Sequence, residues 1–294
     1  MINSKIDDQN LMMPGHVGCP GCGATIAMKF ALQALGQKTI LVIPACCWAV
    51  IAGVHPQHSL KVPVLHTAFE TSGAAASGVR AALDMKGDTE TTVVAWAGDG
   101  GTFDIGFQSL SGAAERNENF IYVCYDNEAY MNTGVQRSSS TPYGCRTTTT
   151  PGDAWKKDRK KNIVETLAAH RIPYAATANI AYPQDMIAKF QKAKQIKGTR
   201  FLHVFASCPT GWRLPSELSI KIARLAVKTK VFPLYEVFDG KSYVINEYGD
   251  TPVNEYLKIQ GRFKHLSDSD INHIQDNVDK DFEFLMKKRD ILNN

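Results

Sequence analysis

The sequence has no apolar run approaching the ~18 residues of a membrane-crossing helix, and its first residues, MINSKIDDQNLMMPGH, lack the charged-then-apolar pattern of a secretory signal. Both absences point to a cytoplasmic protein that touches no membrane. No internal repeat or low-complexity tract interrupts the 294 residues, which excludes a solenoid and a long disordered tail. Charge of either sign is in little excess: the net charge is +4, and Lys and Arg are dispersed except in Lys156-Lys157-Asp158-Arg159-Lys160-Lys161. No aromatic platform or recognition motif accompanies that cluster, so it reads as a solvated loop and not as a nucleic-acid surface. Its second reading is a docking point for an acidic electron carrier. Disulfides are disfavoured in a reducing compartment, so each of the seven cysteines needs another role, as core thiol, metal ligand or reactive thiol.

What is present is ordinary in bulk, with 44% hydrophobic and 21% charged residues, enough for a large α/β domain or two modest ones. The chain is organised around Thr91 to Gly134, TTVVAWAGDGGTFDIGFQSLSGAAERNENFIYVCYDNEAYMNTG. Thr92 to Ala97 is an apolar run of β-formers that stops at Gly98-Asp99-Gly100-Gly101, where three glycines permit backbone angles a side chain would forbid. A helix follows from Asp104 to about Glu115 with Ile105, Leu110 and Ala113 on one face, then a buried strand from Phe120 to Tyr125. Such a turn aims free N–H groups and a positive helix end at whatever lies above the strands, a place suited to phosphate. Asp99 and Asn127, at the ends of two adjacent parallel strands, reach the same edge of the sheet. With a nearby carbonyl they can hold a hard divalent cation, naturally Mg²⁺, whose other positions go to diphosphate oxygens and water.

Elsewhere, Cys19 and Cys22 form a CxxC among Gly and Pro residues, a loop able to turn several N–H groups toward sulfur. Cys47 and Cys208 complete a set of four, and spacing alone leaves zinc and iron–sulfur both open. Cys46 and Cys124 read as small core thiols. Helices are expected over Gly23–Leu35 (Ile26, Phe30 and Ala34 in register), Gly73–Met85, Ile163–His170, Pro183–Lys194 and Ser216–Lys228. Strands are expected over Thr39–Ile43, Val62–Phe69, Tyr174–Ala178 and Phe201–Phe205, with an Asp239-Gly240 hairpin turn inside Val231–Ile245 and Ser267 capping a terminal helix. His66 and Glu70 are not read as a catalytic pair, and Ser138 to Ser140 and Thr147 to Thr150 are read as plain loop residues within a long polar loop, Ala129 to Thr150. The alternation argues for an α/β fold, a mainly parallel sheet flanked by helices with its site at the strand carboxyl ends.

A GDG followed about thirty residues later by Asn is the thiamine diphosphate motif, and GDGGTFDIGFQSLSGAAERN with YDNEAYMNTGVQRSSSTPYG resembles the β subunit of pyruvate:ferredoxin oxidoreductases, from Gly15 to about Gly261. The resemblance implies a diphosphate-type thiamine-binding domain over 1–214 and a C-terminal extension over 215–294 packed on it. It implies Mg²⁺ held by Asp99, Asn127 and the Ala129 carbonyl, with Gly98, Gly100 and Gly101 at the diphosphate and Asn132 beside the thiazolium ring and substrate. It implies a [4Fe–4S] cluster on Cys19, Cys22, Cys47 and Cys208, Cys47 being chosen over Cys46 because it lies 25 residues after Cys22. The activity implied is oxidative decarboxylation of pyruvate with coenzyme A, electrons passing to ferredoxin. Close relatives use other 2-oxoacids, including oxalate, and a non-redox thiamine enzyme subunit would share Asp99 and Asn127 without needing four thiolates. The pyrimidine-binding domain and its activating glutamate are expected on other subunits that also carry ferredoxin-like clusters, in a hetero-oligomer with two copies of this chain.

Overall fold

Eight strands form one sheet among the described residues, 10–54 and 56–293 of a computed structural model. Residues 1–9, on which the reading of the leader partly rests, lie outside them. The strands are β1 (Thr39–Pro44), β2 (Val64–Thr67), β3 (Thr92–Gly98), β4 (Ile121–Asp126), β5 (Tyr174–Asn179), β6 (Arg200–Phe205), β7 (Leu234–Phe238) and β8 (Ser242–Glu247). Their order across the sheet is β2-β1-β3-β4-β6-β5-β7-β8. The first six run parallel, and the β7–β8 hairpin adds an antiparallel edge beside β5. The helices are α1 (Gly23–Leu35), α2 (Trp48–Ile51), α3 (Ser72–Met85), α4 (Phe107–Glu115), α5 (Ile163–Ala169), α6 (Pro183–Gln195), α7 (Pro209–Trp212), α8 (Ser219–Lys228), α9 (Val253–Leu257) and α10 (Asp268–Leu292). None of them is long and apolar enough to cross a membrane.

Every residue of β3 is buried, as a parallel strand covered on both faces must be. Alternation sends Val94 and Trp96 to one face and Val93, Ala95 and Ala97 to the other, and the two sets belong to separate apolar cores. The first core is filled by α1, α2, α6 and α8, the second by α3, α4 and α5. The segment after Leu214 extends the same sheet through β7 and β8, whose turn places Asp239 (φ 52°) and Gly240 (φ 66°) in the left-handed region that a two-residue hairpin favours. Ser267 and Asp270 close a capping box at the start of α10.

Three expectations shift. The strand expected over Val62–Phe69 shrinks to β2, an edge strand whose Leu65 and His66 face outward. On α1, Ile26 and Phe30 are half-buried, and Ala27, Met28, Ala31 and Leu32 take the core face instead. The helix expected from Asp104 begins at Phe107, because Gly100–Asp104 winds as a π-helical turn. The wider turn rotates the residues after it, so Leu110 and Ala113 face the core while Ile105 is 52% exposed.

The chain leaves β1 for β2 on one side and then crosses to β3 on the other, which makes the β1–β3 boundary a topological switch point where the strand-end loops diverge and leave a crevice. In the β3–β4 register Gly98 lies opposite Tyr125, which sets Asp99 beside the Asp126-Asn127 corner. Beneath that corner Trp96 is fully buried, stacked on Tyr125 at 6.2 Å and Phe190 at 6.4 Å between ring centres. Trp96→Ala is expected to cost about 3–5 kcal/mol of unfolding free energy through the cavity it leaves. Denaturant titration checks this, and a loss below about 1.5 kcal/mol, the range of volume-conserving swaps, would contradict the packing described.

Candidate functional site

Loops following β1, β3 and β4 meet at one end of the sheet. Ala45-Cys46-Cys47, Gly98 to Gly101 and Asn127 with Ala129 to Thr133 line a cleft together with Phe69 and Tyr125, and the cleft holds about 110 Å³. Small-molecule pockets usually hold about 300–1,000 Å³, so a cofactor-sized ligand needs further walls from outside this chain. The glycines at its floor act by their size. None of Gly98, Gly100 and Gly101 has a positive φ, contrary to the expectation of angles forbidden to side chains. A Cβ at Gly100 would instead lie 2.1 Å from the Tyr130 ring, and one at Gly101 would lie 3.3 Å from the Phe69 ring. Asn132 stands exposed on the cleft wall. His66 and Glu70 are exposed and are not among the residues lining it.

At the bottom, three oxygens face one another. The Asn127 side-chain oxygen lies 3.1 Å from Asp99 Oδ1 and 3.0 Å from the Ala129 carbonyl. Adjacent oxygens around an octahedral Mg²⁺ with bonds of about 2.0–2.1 Å are separated by about 2.9 Å, so the two spacings to Asn127 are those of neighbouring ligands in such a shell when the amide oxygen points inward. Two arrangements relieve the repulsion of these oxygens: a cation among them, or the Asn127 amide turned over so that its nitrogen donates to both. Asp99 is 2% exposed, and its other oxygen accepts from Ser138 Oγ at 2.5 Å. Burial, and then the neighbouring Asp126 carboxylate, push the Asp99 pKa well up, a cost that a bound cation would cancel.

The loop residues taken as plain in the sequence are the struts of this floor. Besides Ser138 on Asp99, Ser139 donates to Asp104, Ser140 Oγ donates to Asp126 at 2.6 and 2.7 Å, and Thr141 Oγ1 donates to the Glu128 carbonyl at 2.8 Å. Thr147 and Thr150 bond each other, as loop residues do. The basic run is solvated only in part: Lys157, Asp158, Arg159 and Lys161 are exposed, but others turn inward. Lys156 is 2% exposed and donates to the Thr141 carbonyl, Lys161 donates to the Phe103 carbonyl, and Lys160 bridges Asp126 at 2.7 Å and Glu128 at 2.9 Å. Burial alone would raise the Asp126 pKa, but Lys160 and His203, the latter 2.7 Å away, more than offset it and hold the carboxylate below its usual range. These acids needed cations, and the nearest stretch rich in them folds inward to supply them.

The four expected thiols come from three loops that converge beside the cleft. Cys22, Cys47 and Cys208 occupy the N-cap positions of α1, α2 and α7, where unpaired backbone N–H groups gather. Gly211 N–H points at Cys208 Sγ, 3.4 Å away. The loops are locked together: Gly23 N–H donates to the Ser207 carbonyl at 2.9 Å, Ser219 Oγ to the Gly21 carbonyl at 2.6 Å, and Trp48 Nε1 to the Ala24 carbonyl at 3.2 Å. Burial pushes the Cys47 thiol up to about 12, helped by the charges of Cys46, Cys208 and Cys22, and Cys208 up to about 11, where Cys22 and Cys19 contribute. The loops that carry the four thiols meet, although among the described residues no three His, Cys, Asp or Glu groups close on a single ion. Burial pushes the Cys46 thiol up as well, and the neighbouring Tyr125 side chain pulls the other way. Cys124 is buried in its strand, as a core thiol is.

Two residues with no signal of their own in the sequence complete the site. Trp212 Nε1 donates to the Asn127 carbonyl at 2.8 Å, and Arg262 pairs with Glu128 at 2.5 Å while its guanidinium lies 4.0 Å from the Trp212 ring centre. Trp212 stands four residues after Cys208 and was within reach of inference; Arg262 comes from far along the chain.

Residues 45–204 match the family described as thiamine pyrophosphate enzyme, C-terminal TPP binding domain. The ketoisovalerate oxidoreductase subunit VorB of Pyrococcus furiosus is 52% identical over 290 residues, covering 95% of this chain and 93% of that protein. The pyruvate synthase subunit PorB of Methanothermobacter marburgensis is 48% identical over 279 residues, covering 94% and 97%. Among solved structures, a 2-oxoglutarate:ferredoxin oxidoreductase from Magnetococcus marinus superposes with a TM-score of 0.60 over 76% of this chain and 81% of that one, at 24% identity, a likeness of fold.

Proposed function

Because this chain belongs to the β subunits of the 2-oxoacid:ferredoxin oxidoreductases, multi-subunit enzymes built on thiamine diphosphate, we propose that it forms the diphosphate-and-metal half of an active site that another subunit completes. The observation that carries this reading is the oxygen triad of Asp99, Asn127 and Ala129 at the end of β3 and β4. These three would hold Mg²⁺, and the missing side chains at Gly98, Gly100 and Gly101 would leave room for a diphosphate beside it. When bound, thiamine diphosphate supplies an electron sink for the loss of carbon dioxide from a 2-oxoacid. Ser138 fixes the second oxygen of Asp99 so that the first stays aimed at the metal. Phe69 and Tyr130 wall the turn from water, and Asn132 stands beside the thiazolium ring and the substrate.

Cys19, Cys22, Cys47 and Cys208 hold a [4Fe–4S] cluster, one iron to each sulfur. Neighbouring buried thiols stay protonated because their thiolates would repel one another, a cost that a bound metal centre would remove, and the N–H of Gly211 is ready to donate to the sulfur of Cys208. Such a cluster would supply a route for electrons toward ferredoxin, with coenzyme A as the acyl acceptor. Pyruvate is the proposed substrate. A branched 2-oxoacid is the second reading, favoured by the 52% identity to a ketoisovalerate oxidoreductase subunit, and relative kcat/KM on the two acids separates them.

The half-site reading rests on where the glutamates lie. Glu128 is committed to Lys160 and Arg262 behind the metal turn, and Glu70 is exposed outside the cleft lining, so neither is placed to activate a pyrimidine ring. The isolated chain, reconstituted with Mg²⁺, thiamine diphosphate, iron and sulfide, is therefore expected to show no pyruvate-dependent dye reduction. Turnover comparable to that of the complex would sink the half-site reading. In the assembled, anaerobically purified complex, Cys47→Ser is expected to remove about four irons per copy of this chain relative to the native protein. Unchanged iron, or zinc in stoichiometric amount in an active native preparation, would show that these cysteines hold no cluster.

A further inference from the structure

Arg262 sits in the Gly261–Phe263 turn between α9 and α10, is 2% exposed, and lies 134 positions from the acid it pairs with. Its Nη2 meets Glu128 Oε2 at 2.5 Å, its Nε donates to Gln260 Oε1 at 2.8 Å, and its flat face covers the indole of Trp212. Trp212 in turn ends α7, the helix that Cys208 caps, and gives its N–H to the Asn127 carbonyl. Glu128 stands between Asn127 and Ala129 with φ at 67°, a conformation that a non-glycine residue keeps only when its surroundings hold it there. Buried ion pairs contribute little to net stability, because desolvation offsets the attraction, whereas leaving one partner unpaired is costly. A guanidinium brought so far to this turn is better placed to hold geometry than to add stability.

We propose that Arg262 is a positioning residue that, through Glu128 and Trp212, locks the Asn127–Ala129 turn to the Cys208 loop and so sets the metal–diphosphate site and the cluster site as one unit. The inference rests on the reading of those two centres given above. Its physical content is twofold. The planar fork and stack hold the Asn127 and Ala129 oxygens in register for the metal, which Lys cannot reproduce. The buried guanidinium also lies over Trp212, the last residue of the short helix that Cys208 caps, so its positive charge stands beside that loop and favours the reduced, more negative state of whatever the sulfur binds.

The test uses the assembled complex with Trp212→Phe, Arg262→Lys and Arg262→Gln, reading thiamine diphosphate affinity at fixed Mg²⁺ and the cluster midpoint by EPR-monitored redox titration. Trp212→Phe keeps the ring and loses the N–H, and it should weaken cofactor binding roughly 3–10-fold with iron content unchanged, the worth of about one hydrogen bond. Arg262→Gln should weaken it about tenfold and also change the reduced-to-oxidised ratio about tenfold at fixed potential, a midpoint about 59 mV more negative for one electron. Arg262→Lys, which keeps the charge without the fork, should recover the midpoint but not the affinity, a split that a purely structural role would not produce. Variants that match the native complex in both affinity and midpoint overturn the inference. If Arg262→Gln does not assemble, native affinity in Trp212→Phe overturns it alone. A native complex that binds no thiamine diphosphate or carries no iron overturns the reading of function beneath it, a result distinguishable from loaded native protein with unaffected variants.

Discussion

Asp99 and the Ala129 carbonyl each set an oxygen about 3 Å from the Asn127 side-chain amide in a buried corner, and this grouping, with the amide oxygen turned inward, is the constraint on which the rest of this structure depends. Such an arrangement is repulsive unless something positive lies among them, and a folded chain holds it only if the surrounding framework is stiff. The framework here is the parallel pairing of β3 and β4, buried at every position, with Trp96 packed beneath. Asp99 and Asn127 are then neighbours by register, and the Ala129 carbonyl joins them because Glu128 is pinned in a left-handed conformation by Lys160 and Arg262.

From this corner the dependence spreads outward. Four acids, Asp99, Asp104, Asp126 and Glu128, sit at or below the turn, and the chain answers them with three serines, one lysine, a histidine and an arginine drawn from distant segments. The metal corner and the thiol region are not separate devices. Cys46 and Cys47 are adjacent residues of one loop, both line the cleft beside Asp99, and Cys47 is also the N-cap of α2. Trp212 ties the far side of the thiol region to Asn127. An enzyme that must pass electrons from an organic cofactor to a cluster gains from building both from the same few loops.

Much of this was legible in the sequence because it is local. The strand, glycine turn, helix and strand of 91–134 carry their own periodicity, and the Asp99 to Asn127 spacing needs only parallel neighbours to become a site. The CxxC beside Gly23 is also a short-range pattern, whereas the choice of Cys47 came from the family resemblance. What could not be read depends on long-range charge balance. Lys156, Lys160 and Lys161 look like a solvated run until the acids beneath them are placed, and Ser138 to Ser140 look like loop filler until Asp99, Asp104 and Asp126 are seen to lack donors. The π turn at Gly100–Asp104 was invisible for another reason: one added residue per turn leaves composition unchanged and alters only which side chains face inward, as Ile105 shows.

The central claim, that the corner formed by Asp99, Asn127 and Ala129 is where the metal of a thiamine cofactor is held, is tested most directly by locating that metal. In the assembled complex loaded with Mn²⁺ and thiamine diphosphate, a crystal structure with anomalous data collected at the manganese edge would place the ion without reference to activity. The account predicts a single strong peak bounded by the Asp99 carboxylate, the Asn127 amide oxygen and the Ala129 carbonyl. A bound cofactor with its manganese elsewhere, or with the Asn127 amide nitrogen turned into that corner, would contradict it.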